Sequence, residues 1–267
     1  MKGGAIMEEI MKNMYVVVTD YVQPNTGADV SDALQELILS NPQRTIFFPD
    51  GEYLLSKPIC TPANPAHAVS LKLATFAKLK AMDSWTEKEA VVRIGAAEPF
   101  NTIYIPGSNY YFEGGIIDGN GRANGISIDS GRETAIHHVS IKNTEIGIHI
   151  KHGANSGSSD ADIRDVNITG NNSPASIGLL IEGYDNTATN MRIASVFTGV
   201  EVRSGGNMLR KAIDYFAHLC VEPNFYDYIK DHDIEFCQSE YMQKLAWLKN
   251  DKESVYDPEC DDILRVA

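Results

Sequence analysis

The sequence predicts an all-β solenoid, a single-stranded parallel β-helix whose short strands stack coil on coil. The first observation behind this prediction is a strand pattern that recurs: Val139-Ser-Ile141 returns as Val166-Asn-Ile168 and as Met191-Arg-Ile193. Alternation of apolar and polar residues marks a strand with one buried face. Its return after steps of roughly 20 to 30 residues is typical of stacked repeats.

The second observation is a glycine-led strand after each phrase. No helical pattern lies between the two strands, which excludes βαβ crossovers, and the Leu and Asn consensus of leucine-rich repeats is absent. We therefore expect Ile150, Ile181 and Val202 to lie over one another in one buried column, with the glycines supplying positive φ at the corners. The glycine-led strands are Gly125-Ile-Ser-Ile128, Gly147-Ile-His-Ile150, Gly178-Leu-Leu-Ile181 and Gly199-Val-Glu-Val202.

The residue after each glycine-led strand is charged, and the sign alternates from one copy to the next. In a stacked sheet these side chains would form a ladder of opposite-charge neighbours. Contact with a ligand is the alternative interpretation. The four residues are Asp129, Lys151, Glu182 and Arg203.

A helix is predicted near the N-terminus, with Ser31 as its N-cap and an apolar stripe formed by Leu34, Leu37 and Ile38. Asn41-Pro42 is expected to end it. Such a helix would cover the N-terminal end of the solenoid, where the apolar core is otherwise open.

The domain organisation follows from where the strand pattern starts and stops. We predict a β-helix domain over residues 15–210, preceded by a lead-in over residues 1–14. The segment 208–219 and the segment 239–250 have helical spacing, so residues 211–267 are interpreted as a mostly helical C-terminal cap or appended segment.

Composition limits the classes of partner. The formal net charge of -13 argues against binding to nucleic acid or an anionic membrane, and it disfavours a polyanionic ligand unless a cation bridges the two. No apolar run is long enough to span a membrane, and the N-terminus has no signal-peptide core. The expected location is therefore the cytoplasm, or a phage or surface assembly.

The cysteines show neither paired spacing nor zinc-finger spacing. We expect free reduced thiols, and the alternative is a disulfide among the last three. The four residues are Cys60, Cys220, Cys237 and Cys260.

Three motifs carry a family resemblance: Gly27-Ala28-Asp29 with Ser31-Asp32, then Phe48-Pro49-Asp50-Gly51-Glu52-Tyr53, then Gly115-Ile-Ile-Asp118-Gly119. With them the chain resembles the pectin-lyase-like superfamily of right-handed parallel β-helices. The likeness is strongest to the pectate-lyase-type entry segment shared with family-28-related glycoside hydrolases. It implies a right-handed coil and a protein that acts on, or binds, a uronate-containing polysaccharide as a hydrolase or lyase.

The catalytic motifs of the polygalacturonase-type hydrolases are not intact. Lys151-His152-Gly153 holds half of the histidine motif, and Asp160-Ala-Asp162 is a stretched acidic pair. Pectate-lyase-type members use a calcium-binding carboxylate cluster with an Arg or Lys base, which Asp160, Asp162 and Arg164 imitate. Calcium is the cofactor that the resemblance suggests.

The candidate catalytic residues are therefore Asp160, Asp162, His152 and Arg164, in a long turn of the kind that carries function on rigid folds. Glycan hydrolysis needs two carboxylates across a sugar, and proton abstraction beside a uronate needs a base and a cation. The alternative is a polar surface loop in which the aspartates turn the chain and Arg164 pairs with a carboxylate.

Two further features have ordinary structural explanations. Residues Tyr110, Tyr111 and Phe112 would either stack on sugar rings or pack into the core. His137 and His138 are not expected to form a metal site, because neighbouring residues of a strand face opposite ways.

Three functions remain open. The chain is either a polysaccharide hydrolase or lyase, or a noncatalytic module of a phage tail-spike-like assembly, or a carbohydrate-binding solenoid whose tail docks a partner. A polysaccharide is the expected partner, and a homotrimer is expected for the spike alternative.

Overall fold

The computed structural model describes residues 14–98, 110–152, 158–215 and 218–221. The lead-in before Met14, the segment 99–109, part of the candidate loop and the tail beyond Val221 lie outside the described residues. Within them, no helix is long and apolar enough to cross a membrane.

The strands are short and follow one another in coils. A one-turn 3-10 helix at Val18–Asp20 and helix α1 (Ser31–Leu39) precede the first coil, and a second 3-10 turn lies at Pro65–His67. Strand β1 (Val16–Val17) precedes the coils. The strands of the first three coils are β2 (Thr45–Phe48), β3 (Gly51–Leu55) and β4 (Ile59–Pro62); β5 (Ser70–Leu73), β6 (Ala77–Ala81) and β7 (Ala90–Ala97); and β8 (Tyr111–Glu113), β9 (Ile116–Asp118) and β10 (Asn124–Ile128).

The later coils repeat this order. A small separate ladder of β11 and β15 lies beside them. The later strands are β11 (Gly131–Arg132), β12 (Ala135–His137), β13 (Ser140–Thr144) and β14 (Ile146–Ile150); β15 (Ser158–Ser159), β16 (Asp162–Arg164), β17 (Asn167–Gly170) and β18 (Ile177–Ile181); β19 (Thr187–Ala194) and β20 (Thr198–Val202); and β21 (Met208–Tyr215) and β22 (His218–Val221).

Each coil contributes to three parallel faces. Face 1 stacks β2, β5, β8, β12 and β16, and face 2 stacks β3, β6, β9, β13 and β17; the long strand β19 continues both. Face 3 stacks β4, β7, β10, β14, β18, β20 and β22. The fold is therefore a parallel β-helix, as the repeat predicts.

The predicted buried column is confirmed. Ile150 pairs in register with Ile181, and Ile181 pairs with Val202. All three side chains are fully buried. Because each coil places an aliphatic residue over the last, the interior is one continuous apolar core.

The role predicted for the glycines is wrong. Gly125, Gly147 and Gly178 do not have positive φ. Instead, a Cβ added at Gly147 would lie 2.5 Å from the carbonyl oxygen of Gly178 and 2.6 Å from Cγ2 of Ile168. Glycine is needed there because strands of neighbouring coils approach closely, not because the chain turns.

The turns are made by other residues. At the corner between face 1 and face 2, His138, Asp165 and Asn190 all have φ between 53° and 56°, and they stack by backbone bonds from His138 N to Arg164 O and from Asp165 N to Thr189 O. Asn and Asp are the non-glycine residues that adopt this conformation most readily.

Helix α1 forms as predicted, with Leu34, Leu37 and Ile38 buried. The predicted N-cap is wrong, since Ser31 is the first helical residue and its backbone N–H donates to Asp29 Oδ1 at 2.9 Å. The Ser31 hydroxyl also donates to Asp29, while its oxygen accepts from the amide of Ser56 at 2.9 Å. These bonds fasten the start of the helix to the end of β3.

Of the segment 208–219, interpreted from its spacing as helical, the described residues 208–215 and 218–219 are strand. β21 pairs along its length with β19, and β22 pairs with β20. An apolar residue every third or fourth position fits a helix, but here the edge of the preceding coil supplies hydrogen-bond partners for a further coil. The helical prediction for residues 222–267 lies outside the described residues.

Candidate functional site

The outward side chains of face 1 place two of the four predicted site residues together. Asp162 and Arg164 lie two apart on β16, so both point away from the core, and Arg164 Nη2 donates to Asp162 Oδ2 at 3.0 Å. His137, in register with Arg164 on the neighbouring coil, completes the group. Its Nε2 lies 3.0 Å from Asp162 Oδ2 and 3.2 Å from Arg164 Nη2.

One nitrogen of the His137 ring, Nε2, lies within hydrogen-bond distance of both partners. When Nε2 is bare, it accepts the hydrogen bond from Arg164; when Nε2 carries a proton, it donates to Asp162. The position of the ring proton therefore decides which of the two partners Nε2 bonds. No local pattern in the sequence points to this group, because His137 and Arg164 meet only through the register of neighbouring coils.

Asp160 lies apart from this group. It turns the corner between face 3 and face 1 with a φ of 56°, and its carboxylate accepts from Arg132 Nε at 2.9 Å and from the hydroxyl of Ser159 at 2.8 Å. These contacts match the structural alternative for this aspartate, that of a residue that turns the chain.

His152 lies beyond the end of β14 and is exposed. Its ring packs edge-on against Tyr184, with 5.5 Å between the centroids. The backbone N–H of Asp160 donates to the carbonyl oxygen of the same tyrosine at 3.1 Å. Tyr184 therefore links the surroundings of His152 and Asp160, while Asp162 and Arg164 belong to face 1.

The two adjacent histidines do not face opposite ways. His138 stands in the left-handed corner just after β12, so its ring lies 6.1 Å from that of His137, and its Nε2 lies 3.4 Å from Asp165 Oδ2. The rule of alternating faces fails here because it applies only inside a strand.

A groove of about 420 Å³ runs along the corner between face 1 and face 2. Lys72 and Glu113, joined at 2.9 Å, line its face 1 side. His138 and Asn167 line it farther along the axis, and the Phe76 ring, which is 72% exposed, stands at its edge. The sequence reasoning missed this groove, since Phe76 and Glu113 carry no motif.

The aromatic run near the start of β8 divides between the two interpretations. Tyr110 and Phe112 are 1% exposed and pack in the core, while Tyr111 is 47% exposed on face 1. In register with it on the next coil is Ala135, and beyond that Asp162. Tyr111 and Asp162 therefore stand on the same column of face 1, with Ala135 between them.

The predicted charge ladder on face 3 forms in part, as two separate networks. In the first, Lys151 Nζ lies 3.1 Å from Asp129 Oδ2 and 3.2 Å from Glu89 Oε2. Arg93 also bonds Asp129, at 2.5 Å. Burial alone would raise the pKa of Asp129, but the bonds from Arg93, Ser127 and Lys151 outweigh it and lower the pKa.

In the second network, Glu182 accepts from Arg203 at 2.7 Å and contacts His149 Nε2 at 2.8 Å. Burial lowers the pKa of His149, against the opposing effect of Glu182. Lys151 therefore pairs within the first network and Glu182 within the second. The predicted pair between Lys151 and Glu182 does not form.

The residues present do not converge on a cation. Asp160 is bonded to Arg132 and Asp162 to Arg164, and no group of three His, Cys, Asp or Glu that could hold a metal ion occurs in the part of the chain that the structure describes. The calcium cluster suggested by the resemblance therefore does not fit these side chains.

The chain was compared with known proteins. No protein-family model and no curated protein matches it. Among solved structures, it is similar to ORF18 of Geobacillus virus E2, with 14% identity and a TM-score of 0.49 over 79% of this chain and 56% of that one.

Two further solved structures are similar. The A-module of the mannuronan C-5 epimerase AlgE4 from Azotobacter vinelandii has 14% identity and a TM-score of 0.46, over 77% of this chain and 75% of that one. PfbA, a surface adhesin of Streptococcus pneumoniae, has 16% identity and a TM-score of 0.44, over 77% of this chain and 58% of that one. The chain thus spans little more than half the length of the virus protein and of the adhesin.

Proposed function

We propose that the protein binds a polysaccharide in the groove between face 1 and face 2, with a sugar ring stacked on Phe76. The observation that carries the proposal is this phenyl ring, 72% exposed at the edge of a groove lined by both apolar and polar side chains. A sugar presents an apolar C–H face and a rim of hydroxyls. It therefore matches an aromatic ring surrounded by hydrogen-bonding groups.

The polar groups of the groove suit such a ligand. Lys72 and Glu113 offer a donor and an acceptor that already bond each other at 2.9 Å, and His138 and Asn167 offer further polar atoms farther along the axis. Tyr111 on face 1 provides a second exposed ring beside the His137 group.

The resemblance to pectin-lyase-like proteins supports the same ligand class and adds finer proposals. The coil is right-handed, and α1 closes the N-terminal end of the solenoid. The side-chain amide of Gln35 in α1 favours this closure, because its Oε1 accepts from Cys60 N at 2.7 Å and its Nε2 donates to Cys60 O at 2.9 Å. Edge strands need such partners if they are not to pair with another chain.

Catalysis by elimination is a second candidate function, favoured by the His137 group. In neutral form, bare Nε2 would take the proton beside a uronate carboxyl once Arg164 turns from it to that carboxylate. The C–H electron pair would form the new double bond, and the glycosidic oxygen would leave with the C–O pair. Arg164 would stabilise the negative charge on the carboxylate as it develops. Asp162, 3.0 Å from His137 Nε2, would then accept the hydrogen bond of the protonated ring.

The groove is tested by binding of polygalacturonate, alginate and neutral dextran to the purified protein, measured by calorimetry. Phe76→Ala should weaken binding at least tenfold, while Phe197→Ala, which removes another exposed ring (50%), should not change it. Equal effects of the two variants would contradict the groove as the binding site.

The catalytic candidate is tested separately on the same polymers. Elimination gives absorbance from the unsaturated uronate, and hydrolysis gives new reducing ends without it. His137→Ala and Arg164→Ala should abolish the absorbance. If neither product forms on any polymer, and Asp160→Ala, Asp162→Ala and the parent bind alike, the protein is a noncatalytic binding module.

A further inference from the structure

We infer that face 2 is an anion-binding surface, on which an acidic polysaccharide lies parallel to the solenoid axis beside the groove. This inference rests on the proposed function and adds the direction of the polymer and its charge. The proposal runs against the net charge of -13, which by itself disfavours a polyanion. On the part of face 2 beside the groove, however, the local charge differs from the total charge of the chain.

The outward side chains of β13, β17 and β19 on face 2 contain two cations and no carboxylate. Lys142 and Arg192 are exposed, and neither forms an ion pair within the described residues. The six outward residues, two from each strand in register, are Ser140, Lys142, Asn167, Thr169, Arg192 and Ala194.

The carboxylates closest to this surface in register are already engaged. Asp118, in register with Lys142, accepts from the backbone N–H of Asn120 and from Nδ2 of Asn143, both at 2.9 Å. Asp165, at the corner, is bonded by Asn190 and contacted by His138. Within the described residues, neither acid forms an ion pair with Lys142 or Arg192, so the head groups of both cations can reach a ligand.

The groove and the two cations form one continuous strip. The floor of the groove on the face 2 side consists of Ile116, Ser140 and Asn167, which are in register on successive coils. Arg192 follows in the same column. At a strand spacing of about 4.8 Å, Arg192 lies about 14 Å along the axis from Ile116, so a polymer seated in the groove reaches it only if it runs along the axis.

The chemistry of the ligand follows from this strip. Exposed amide and hydroxyl groups between two unpaired cations match a polymer with neutral hydroxyls and repeated negative groups. Carboxylates of uronates and sulfate esters share this chemistry. Both would form ion pairs with the two cations, and dissolved salt would partly screen these ion pairs.

The test compares the double variant Lys142→Gln/Arg192→Gln with the parent, using polygalacturonate, dextran sulfate and unmodified dextran as probes. Two exposed ion pairs lost should weaken binding of an acidic polymer about two- to thirtyfold. Affinity of the parent should fall as salt is raised, and this dependence should be smaller in the double variant. Polygalacturonate and dextran sulfate distinguish carboxylate from sulfate recognition.

A control removes one positive charge at a position off the face. Lys57→Gln removes a cation beside α1, where Lys57 pairs with Asp32 at 2.6 Å, and it should bind as the parent does. Circular dichroism confirms that the variants fold, which is expected because Lys142 and Arg192 are exposed.

Two results would overturn the inference and leave the groove intact. In the first, the double variant binds acidic polymers as tightly as the parent, while Phe76→Ala binds them more weakly. In the second, the parent binds dextran as tightly as dextran sulfate. Loss of binding in the double variant with no effect of Phe76→Ala would instead refute the proposed groove and retain the charged surface.

Discussion

Substituting Gly147 by alanine tests why glycine recurs in the glycine-led strands. The new Cβ would lie 2.5 Å from the backbone oxygen of Gly178, and 2.6 Å and 3.0 Å from Cγ2 and Cδ1 of Ile168. The oxygen belongs to a strand fixed on both sides by parallel pairing, so it cannot move without disturbing the neighbouring coils. Ile168 is 1% exposed and has little room to change rotamer.

The expected cost is that of overpacking a close-packed interior, about 1–3 kcal/mol. With a urea m-value of about 2 kcal/mol/M, a loss of about 2 kcal/mol moves the unfolding midpoint by about 1 M. The assay is urea unfolding followed by circular dichroism. Gly205→Ala is the control, because a Cβ there meets nothing within 4 Å and its φ is not positive.

The outcome separates the two explanations of the glycine. If glycine were needed only to make a turn, alanine would be unfavourable because of a positive φ. At Gly147 φ is not positive, so this explanation predicts no loss of stability. A midpoint for Gly147→Ala within 0.2 M (about 0.4 kcal/mol) of that for Gly205→Ala would refute the close-approach argument and the strand spacing behind it.

Three other predictions follow from the described residues. Ile150→Ala, at a fully buried position of the interior column, should lower the free energy of unfolding by about 2–5 kcal/mol, measured in the same urea assay. Asp129→Asn should cost about 1–3 kcal/mol at neutral pH; because the pKa of Asp129 is lowered, this stabilisation is present above its ordinary value of 3.8 and is lost as the pH falls through its folded value, so parent and variant should converge in acid. Burial raises the pKa of the Cys60 thiol to about 11, so iodoacetamide at pH 8 should label Cys60 far more slowly in the folded than in the urea-unfolded protein, as mass spectrometry of its peptide would show; equal rates would contradict the burial.

The sequence was sufficient for the stacking of the coils. Period-two alternation fixes which side chains enter the core, and the repeat distance fixes which residues lie over one another. For this reason Ile150, Ile181 and Val202 could be placed in one column without coordinates. The same register predicted the Asp129–Lys151 and Glu182–Arg203 pairs.

The corners and the candidate site could be predicted only in part. Asp162 and Arg164 were singled out from their residue types, and the structure places them together, but Asp160 turns a corner and bonds Arg132. His137 was considered only as half of a metal site and set aside on the rule of alternating faces; its contact with Arg164 crosses between coils, where no local pattern shows it.

What the sequence by itself determined is the periodic part of the molecule, since local alternation and spacing dictate strands and their stacking. Only the tertiary structure decided which residues take the left-handed corners, as at His138, and which charges share a face, as Lys142 and Arg192 do. The physical reason is that the net charge sums every charged residue, wherever it lies on the surface. A ligand meets only the face that the coils turn toward it.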